Sequence, residues 1–251
     1  MRIVSLVPST SANLCAFGYQ DQIVGCTSFC VEPPNLHRQC QLVGGTKDPD
    51  LNLIRSLEPD LVFVNTEENR RQDIRVLAAE YQLVEDFPRS PYDVVPMLRS
   101  WAEILPCSKL IVETAEEIEA RLSQVQSNGK RGSFVYLIWQ NPYMVVGRDT
   151  YISKLLEIYG YENAVESSER YPALDAAALR DLKADIVFFS SEPFPFRKRQ
   201  MKQCFEECEL KGEPFKIDGR LMSWHGIHLL RAMESLGRSG TDSELMSQVN
   251  F

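Results

Sequence analysis

Two stretches of this chain, LEPDLVFVNTEEN at residues 57 to 69 and LKADIVFFSSEPF at 182 to 194, align without a gap. Leu57 falls on Leu182, Asp60 on Asp185, Val62 on Val187, Phe63 on Phe188 and Glu67 on Glu192, and Arg55 falls on Arg180 at the same offset of 125 residues. That offset is close to half of the 251 residues, so it predicts an internal duplication in which each half builds its own core. A second pair of segments agrees with it. RIVSLVPSTSANLCAFGYQDQIVG from Arg2 and SFVYLIWQNPYMVVGRDTYISKLLEIYGYENAV from Ser133 each read as strand, loop, helix and then Gly-Tyr. The second copy carries a longer loop around Asn141 to Arg148.

In the first half, apolar runs predict strands at about 2–7, 22–26 and 60–65 and helices at about 11–17, 50–57 and 70–80. Asp48-Pro49 supplies a start signal for the second of those helices, since Pro is tolerated in a first turn. Strands alternating with helices imply a mostly parallel sheet. From Tyr92 to Gln126 the chain is strongly helical, interrupted at Pro106. Beyond that proline, Ile111, Ala115, Ile118, Leu122 and Val125 recur in steps of four and three, one face of a helix of about 20 residues and roughly 30 Å. The predicted fold class is therefore α/β: two Rossmann-like lobes with mostly parallel sheets, joined by a long rigid helix, with a ligand cleft between the lobes. The predicted divisions are a first lobe at 1–91, a linking helix at 92–127, a second lobe at 128–236 and a polar tail at 237–251, expected to be partly disordered. SNGKRGS, 127 to 133, reads as the loop that ends the linking helix.

Composition narrows the function classes. A net charge of −8 supplies no basic face for phosphates and argues against a nucleic-acid partner. The one basic run, Arg197 to Arg199, reads as a solvated helix start. At 44% hydrophobic and 25% charged, the chain has apolar material for two cores. Seven cysteines, at 15, 26, 30, 40, 107, 204 and 208, are odd in number and form no compact framework. They read as reduced thiols and place the chain in the cytoplasm. The pairs Cys26/Cys30 and Cys204/Cys208 lack the spacing of a zinc knuckle. The first apolar run, IVSLV, ends at Pro8 and is too short for a signal-peptide core or a membrane span. A chain whose leader had been cleaved would read the same there and would be periplasmic.

In a parallel sheet, ligands bind beyond the carboxyl ends of the strands. That rule selects PSTS at 8–11, TEEN at 66–69, WQNPYMVVGRDTY at 139–151 and SSEPFPF at 190–196, and facing lobes would border one cleft with all four. Each feature also has a plainer reading. Ser9 or Thr10 suits a helix cap, with anion binding at the same free amides as the alternative; Asp149 or Thr150 suits a cap for YISKLLEIYG. Glu67 and Glu68 read equally as solvated loop charges. Trp139, Tyr143 and Tyr151 crowd a proline-containing loop, a placement that favours ligand contact over core. SWHGIHLL at 223–230 sets His225 and His228 three apart, as on one helical face. His37 is the only other histidine, so a bare-metal site is short of ligands, and His225 stands instead as a single contact or axial ligand. No Walker loop, Gly-x-Ser-x-Gly elbow or dinucleotide fingerprint occurs. A cytosolic enzyme using Glu67 or His225 as acid or base is the rival class.

The segments RIVSLVPS, VGGTKDPDLNLIRSLEPDLVFV and VGRDTYISKLLEIYGYENAV resemble the class III substrate-binding proteins, the helical-backbone receptors for cobalamin, ferric siderophores, haem and some metals. The likeness covers about residues 2 to 236. EENRR, FPR, IWQNPYM, GRDTYI, ERYP, SEPFPF and SWHG are similar to cobalamin-binding-like members, and especially to a group lacking a secretion signal. The resemblance implies binding without catalysis: a corrinoid or related metal chelate held as a ligand, with no covalent cofactor and no membrane insertion, and a ferric siderophore or haem as the alternative. It implies a planar ligand covered by Trp139, Tyr143 and Trp224, with Thr10, Tyr151 and Phe194 in the same loops. Arg148 and Arg170 would pair with carboxylates or phosphates. Glu67, Asn69 and Glu192 would accept from amides, and His225 or Cys30 would approach a metal centre. Family receptors dock to an ABC permease through one surface glutamate per lobe. Here those positions fall near Arg70 or Arg71 and near Met222, a departure that puts docking in doubt.

Overall fold

The computed structural model describes residues 1–125, 129–237 and 246–249. The chain divides into two compact units. The first comprises Met1–Pro88, Val94–Glu116 and His225–Ile227; the second comprises Arg89–Asp93, Glu117–Trp224 and the described residues from His228 on.

The first unit is built from β1 (Ile3–Ser5), α1 (Pro8–Ala16), β2 (Ile23–Cys26), β3 (Gln41–Leu42), α2 (Leu51–Ser56), β4 (Leu61–Asn65), α3 (Arg71–Glu80), β5 (Gln82–Asp86), α4 (Val94–Ile104) and the first half of α5 (Lys109–Gln124). Its sheet runs β3-β2-β1-β4-β5 with every pair parallel. All five residues of β4 are buried, as expected of a strand covered on both faces. Period-two alternation sends Val62 and Val64 toward Ile54, Ile74 and Leu77, while Phe63 packs edge-on against Trp101 at 5.1 Å. The Trp101 indole N–H donates to Asp86 Oδ2 at 2.9 Å.

The second unit contains β6 (Gly132–Trp139), β7 (Tyr143–Val145), α6 (Tyr151–Ile158), β8 (Tyr161–Asn163), β9 (Ala173–Leu174), α7 (Ala176–Asp181), β10 (Ile186–Ser190), α8 (Lys198–Glu207), β11 (Glu213–Ile217), α9 (Gly219–Ser223), α10 (Ile227–Gly237) and β12 (Met246–Gln248). Strands β8, β6, β10 and β11 pair in parallel, and β7, β9 and β12 join antiparallel. The protein is thus α/β with two mostly parallel sheets.

The offset of 125 read in the sequence reappears at both ends of two elements, α2 with α7 and β4 with β10. The details repeat as well. Asp50 caps α2 by accepting the Asn52 and Leu53 amides, and Asp175 caps α7 by accepting the Ala178 amide. Glu58 and Lys183, the left-handed residues beyond these helices, have φ of 44° and 49°. Asp60 Oδ2 accepts the Arg2 amide at 2.7 Å, and Asp185 Oδ2 accepts the Ser133 amide at 2.7 Å, so each carboxylate fastens its strand to the first strand of its own unit.

Several sequence expectations need correction. Helix α1 starts at Pro8, and its N-cap is Val7 with no side-chain bond, so neither Ser9 nor Thr10 is a cap. Proline has no N–H to satisfy and a φ already suited to a first turn. Asp50, rather than the Asp48-Pro49 pair, starts α2. Helix α5 has 16 residues instead of about 20, with Ile111, Ala115, Ile118 and Leu122 buried. In the tail, Met246–Gln248 pairs with β11, whereas residues 238–245 and 250–251 of the expected disordered stretch, like residues 126–128 near the linker loop, lie outside the described residues. Among the described residues no helix is long and apolar enough to cross a membrane.

Burial pushes Asp86 up to about 7, with the Trp101 N–H pulling the other way. The folded state therefore holds a proton that the unfolded chain has released, and stability falls as pH rises from about 4 through 7. Asp86→Asn keeps an acceptor for the indole and should remove this loss. In urea melts at pH 5 and pH 8, the wild type should lose on the order of 2–4 kcal/mol more than the variant.

Candidate functional site

The carboxyl edge of the first sheet is organised by side-chain amides. Asn65 Oδ1 accepts the Glu67 amide at 2.7 Å and the Glu68 amide at 3.3 Å, a turn that ends β4 in two glutamates. Asn69 is buried. Its Oδ1 accepts the Asn65 amide at 2.9 Å, and its Nδ2 donates to Leu6 O at 3.1 Å and Thr46 O at 3.0 Å. One side chain thereby joins the loops after β1, β3 and β4. Lys47 Nζ donates to Glu67 O at 2.6 Å, and the half-buried Glu67 stays at this edge.

Thr10 is buried within the first turn of α1. Cys30 is buried beside it, its Sγ 3.0 Å from Ser11 Oγ and 3.2 Å from Thr27 Oγ1, with Ser11 Oγ donating to Ser5 Oγ at 2.8 Å. The residues 225–227 are held by Asn13, whose Nδ2 donates to His225 O at 3.0 Å and whose Oδ1 accepts the Ile227 amide at 2.9 Å. Gly226 takes φ of +72°, and a Cβ there would overlap the Asn13 amide. His225 is buried in this turn, ahead of α10, so it does not share a helical face with His228, whose ring instead packs edge-on against Trp224 at 5.0 Å in the second unit. Asn13 was not singled out in the sequence. Its signal was the one side-chain amide in the helical segment PSTSANLCA.

In the second unit the same edge is aromatic. Trp139, the last residue of β6, is 40% exposed, and its ring meets Phe194 edge-on at 5.6 Å. Phe194 N donates to Ile138 O at 3.3 Å, and Phe196 backs its ring at 4.8 Å. Glu192 repeats the first unit's turn: Ser190 Oγ accepts its amide at 3.3 Å. Its carboxylate accepts from Ser223 Oγ at 3.4 Å and from the buried Trp224 indole, and burial pushes it up to about 7 against the nearby Arg220. A Cβ on Gly219 would lie 2.7 Å from Glu192 Cγ, so this close approach requires glycine.

The remaining predicted contacts are engaged within the second unit. Tyr143 is a core residue, its hydroxyl donating to Glu207 Oε2 at 2.7 Å, and Tyr151 is buried at the start of α6. Strand β7 turns the Tyr143 ring into the core, which loop proximity alone did not show. Thr150 caps α6 by accepting the Ser153 amide at 3.2 Å. Arg148 donates through Nε and Nη2 to Asn163 O at 3.2 and 3.1 Å. Arg170 donates to Asp149 O, and Asp149 also pairs with Arg89. Asn163 ties this loop together by donating to Val146 O at 3.0 Å and Ser153 Oγ at 3.0 Å while accepting the Val165 amide at 2.9 Å.

A cavity of about 840 Å³ opens at the opposite, amino edge of the second sheet, lined by Arg131, Asp185, Gly212 and Glu213 among others. It lies away from these loops. Among the described residues no group of three or more His, Cys, Asp or Glu side chains is placed to hold a metal ion.

Residues 3–212 match the family model described as Periplasmic binding protein. The chain belongs to this family. No curated protein matches the sequence. Among solved structures, this periplasmic binding protein is similar to a periplasmic heme binding protein from Pseudomonas aeruginosa, with a TM-score of 0.81 and 18% identity over 100% of this chain and 98% of that one. It is similar also to the periplasmic vitamin B12 binding protein BtuF of Vibrio cholerae, with a TM-score of 0.79 and 14% identity over 94% of each chain. The periplasmic heme-binding protein RhuT from Roseiflexus sp. RS-1 gives 0.76 and 18% over 94% and 95%. At these identities the likeness concerns the fold.

Removing the Asn13 amide leaves the Ile227 N–H without its acceptor and His225 O without its donor. Asn13→Ala should cost about 1–3 kcal/mol in chemical denaturation. Gly226→Ala, forced into the left-handed region against the same amide, should cost at least as much.

Proposed function

We propose that this chain holds a planar metal chelate of the corrinoid or haem class as a dissociable ligand and performs no chemistry on it. The observation that carries the reading is the exposed Trp139 ring seated on Phe194 at the carboxyl ends of β6 and β10. An aromatic pair left open at the ligand end of a parallel sheet is a surface for a flat, largely apolar partner. Beside it, Glu192 sits near its midpoint at neutral pH, so it can donate to or accept from an amide substituent. The similar solved proteins are described as binding heme or vitamin B12, which supports the ligand class.

We place the protein in the cytoplasm, without permease docking. All seven cysteines stand as free thiols, which suits a reducing compartment. Of the two positions where docking receptors carry a glutamate, Arg70 pairs with Asp73 at 2.8 Å and Met222 is buried.

The test is a titration with cobalamin, cobinamide, haemin and a ferric siderophore, followed by tryptophan quenching and the visible spectrum. Saturable binding of one tetrapyrrole is expected, weakened roughly tenfold by Trp139→Ala. Binding of the siderophore alone, or of none of the four, would overturn the assignment.

A further inference from the structure

The first unit gathers thiols that the binding reading does not use. Cys26 ends β2 and is fully buried; Cys40 is half-buried and stands immediately before β3. Strands β2 and β3 are parallel neighbours in which Cys26 registers with Leu42. Cys40 is two residues before Leu42, so strand alternation sends its side chain to the face that Cys26 uses. The two sulfurs lie 3.2 Å apart, and Cys40 Sγ also donates to Leu36 O at 3.4 Å. A disulfide requires about 2.05 Å between sulfurs, a closure of roughly 1.2 Å that half-exposed chain beside Cys40 can supply. Between them runs the loop that carries Thr27 and Cys30.

We infer that Cys26 and Cys40 are a reversible thiol–disulfide modification site, closed by a low-molecular-weight disulfide of the glutathione class. The Cys40 thiolate attacks one sulfur of the small disulfide, whose S–S bond breaks and releases one small thiolate. Cys26 gives up its proton to solvent, and its sulfur attacks Cys40 Sγ, expelling the second small thiolate. Two protein thiols are oxidised and one small disulfide is reduced to two thiols. The electrostatics suit this order of events: Cys40 is the reachable partner and is held below the usual thiol range by its contact with Cys26, while Cys26 is held above it by the thiols of Cys30 and Cys40 and by burial. Closure would staple the start of β3 to the end of β2 and constrain the loop that presents Thr27 and Cys30.

The intact chain is incubated with graded ratios of reduced to oxidised glutathione, quenched with an alkylating agent and mapped by mass spectrometry. Two thiols should be lost together, with the peptides of Cys26 and Cys40 linked, the thermal midpoint raised by several degrees and both effects reversed by dithiothreitol. Cys40→Ser, at a half-exposed position, should abolish the loss. Cys26→Ser should stop the reaction at a glutathione adduct on Cys40. The proposal is overturned if seven thiols remain in oxidised glutathione, if the linked pair is Cys204 with Cys208, or if Cys40→Ser still loses two thiols.

Discussion

Parallel sheets deliver their loops in a bunch to one edge, and the backbone groups of those loops are buried there with little access to water. The structure depends on how that polarity is satisfied, because an unpaired buried N–H or C=O costs about 1–3 kcal/mol. Buried asparagine amides do this work. Asn69 bonds to two other loops of the first unit and to the end of its own strand, Asn13 holds residues 225–227, and Asn163 closes the corresponding loop of the second. An amide both donates and accepts, so one side chain can join a carbonyl of one loop to an N–H of another. The residues of these edge loops are positioned by this network.

The duplication explains why the strands β4 and β10 each empty into a glutamate. In both units a side-chain oxygen on the last strand residue, Asn65 or Ser190, accepts the amide two residues on, and the turn so formed presents Glu67 or Glu192 at the sheet's carboxyl edge. The copies then diverge. The longer loop of the second copy adds β7, which withdraws Tyr143 into the core and leaves Trp139 outside with Phe194. The first copy instead places hydroxyls and thiols at its edge, where Ser11, Thr27 and Cys30 meet. One backbone plan therefore carries two chemistries, one sulfur-rich and one aromatic.

The repeat also shows how closely local chemistry is tied to tertiary register. The Asp at the head of β4 and its counterpart before β10 each bond, at the same 2.7 Å, to an amide more than 50 residues earlier in the chain. Such a carboxylate looks in sequence like an ordinary turn residue. In the folded chain it aligns one strand with its neighbour before the ladder bonds take over.

The amino-acid sequence by itself determined the α/β class, the duplication with its offset of 125 and the strands that fill both cores, since these follow from apolar periodicity and from residues that recur at fixed spacing; the family was legible in the resemblance of segments such as VGGTKDPDLNLIRSLEPDLVFV to its members. It also placed the cap of α6 at Asp149 or Thr150, of which the structure uses Thr150, and put Trp139 and Phe194 at strand ends. It misassigned the start of α1, where Pro8 does what a capping hydroxyl was expected to do, and it gave His225 and His228 a shared helical face that the turn at Gly226 removes. Only the tertiary structure decided which polar side chains are already engaged. Asn69, Arg148 and Arg170 read as free ligand contacts until their partners, Leu6, Asn163 and Asp149, were brought beside them. The physical reason is that hydrogen-bonding capacity is consumed by neighbours in space, and most of those neighbours are distant along the chain.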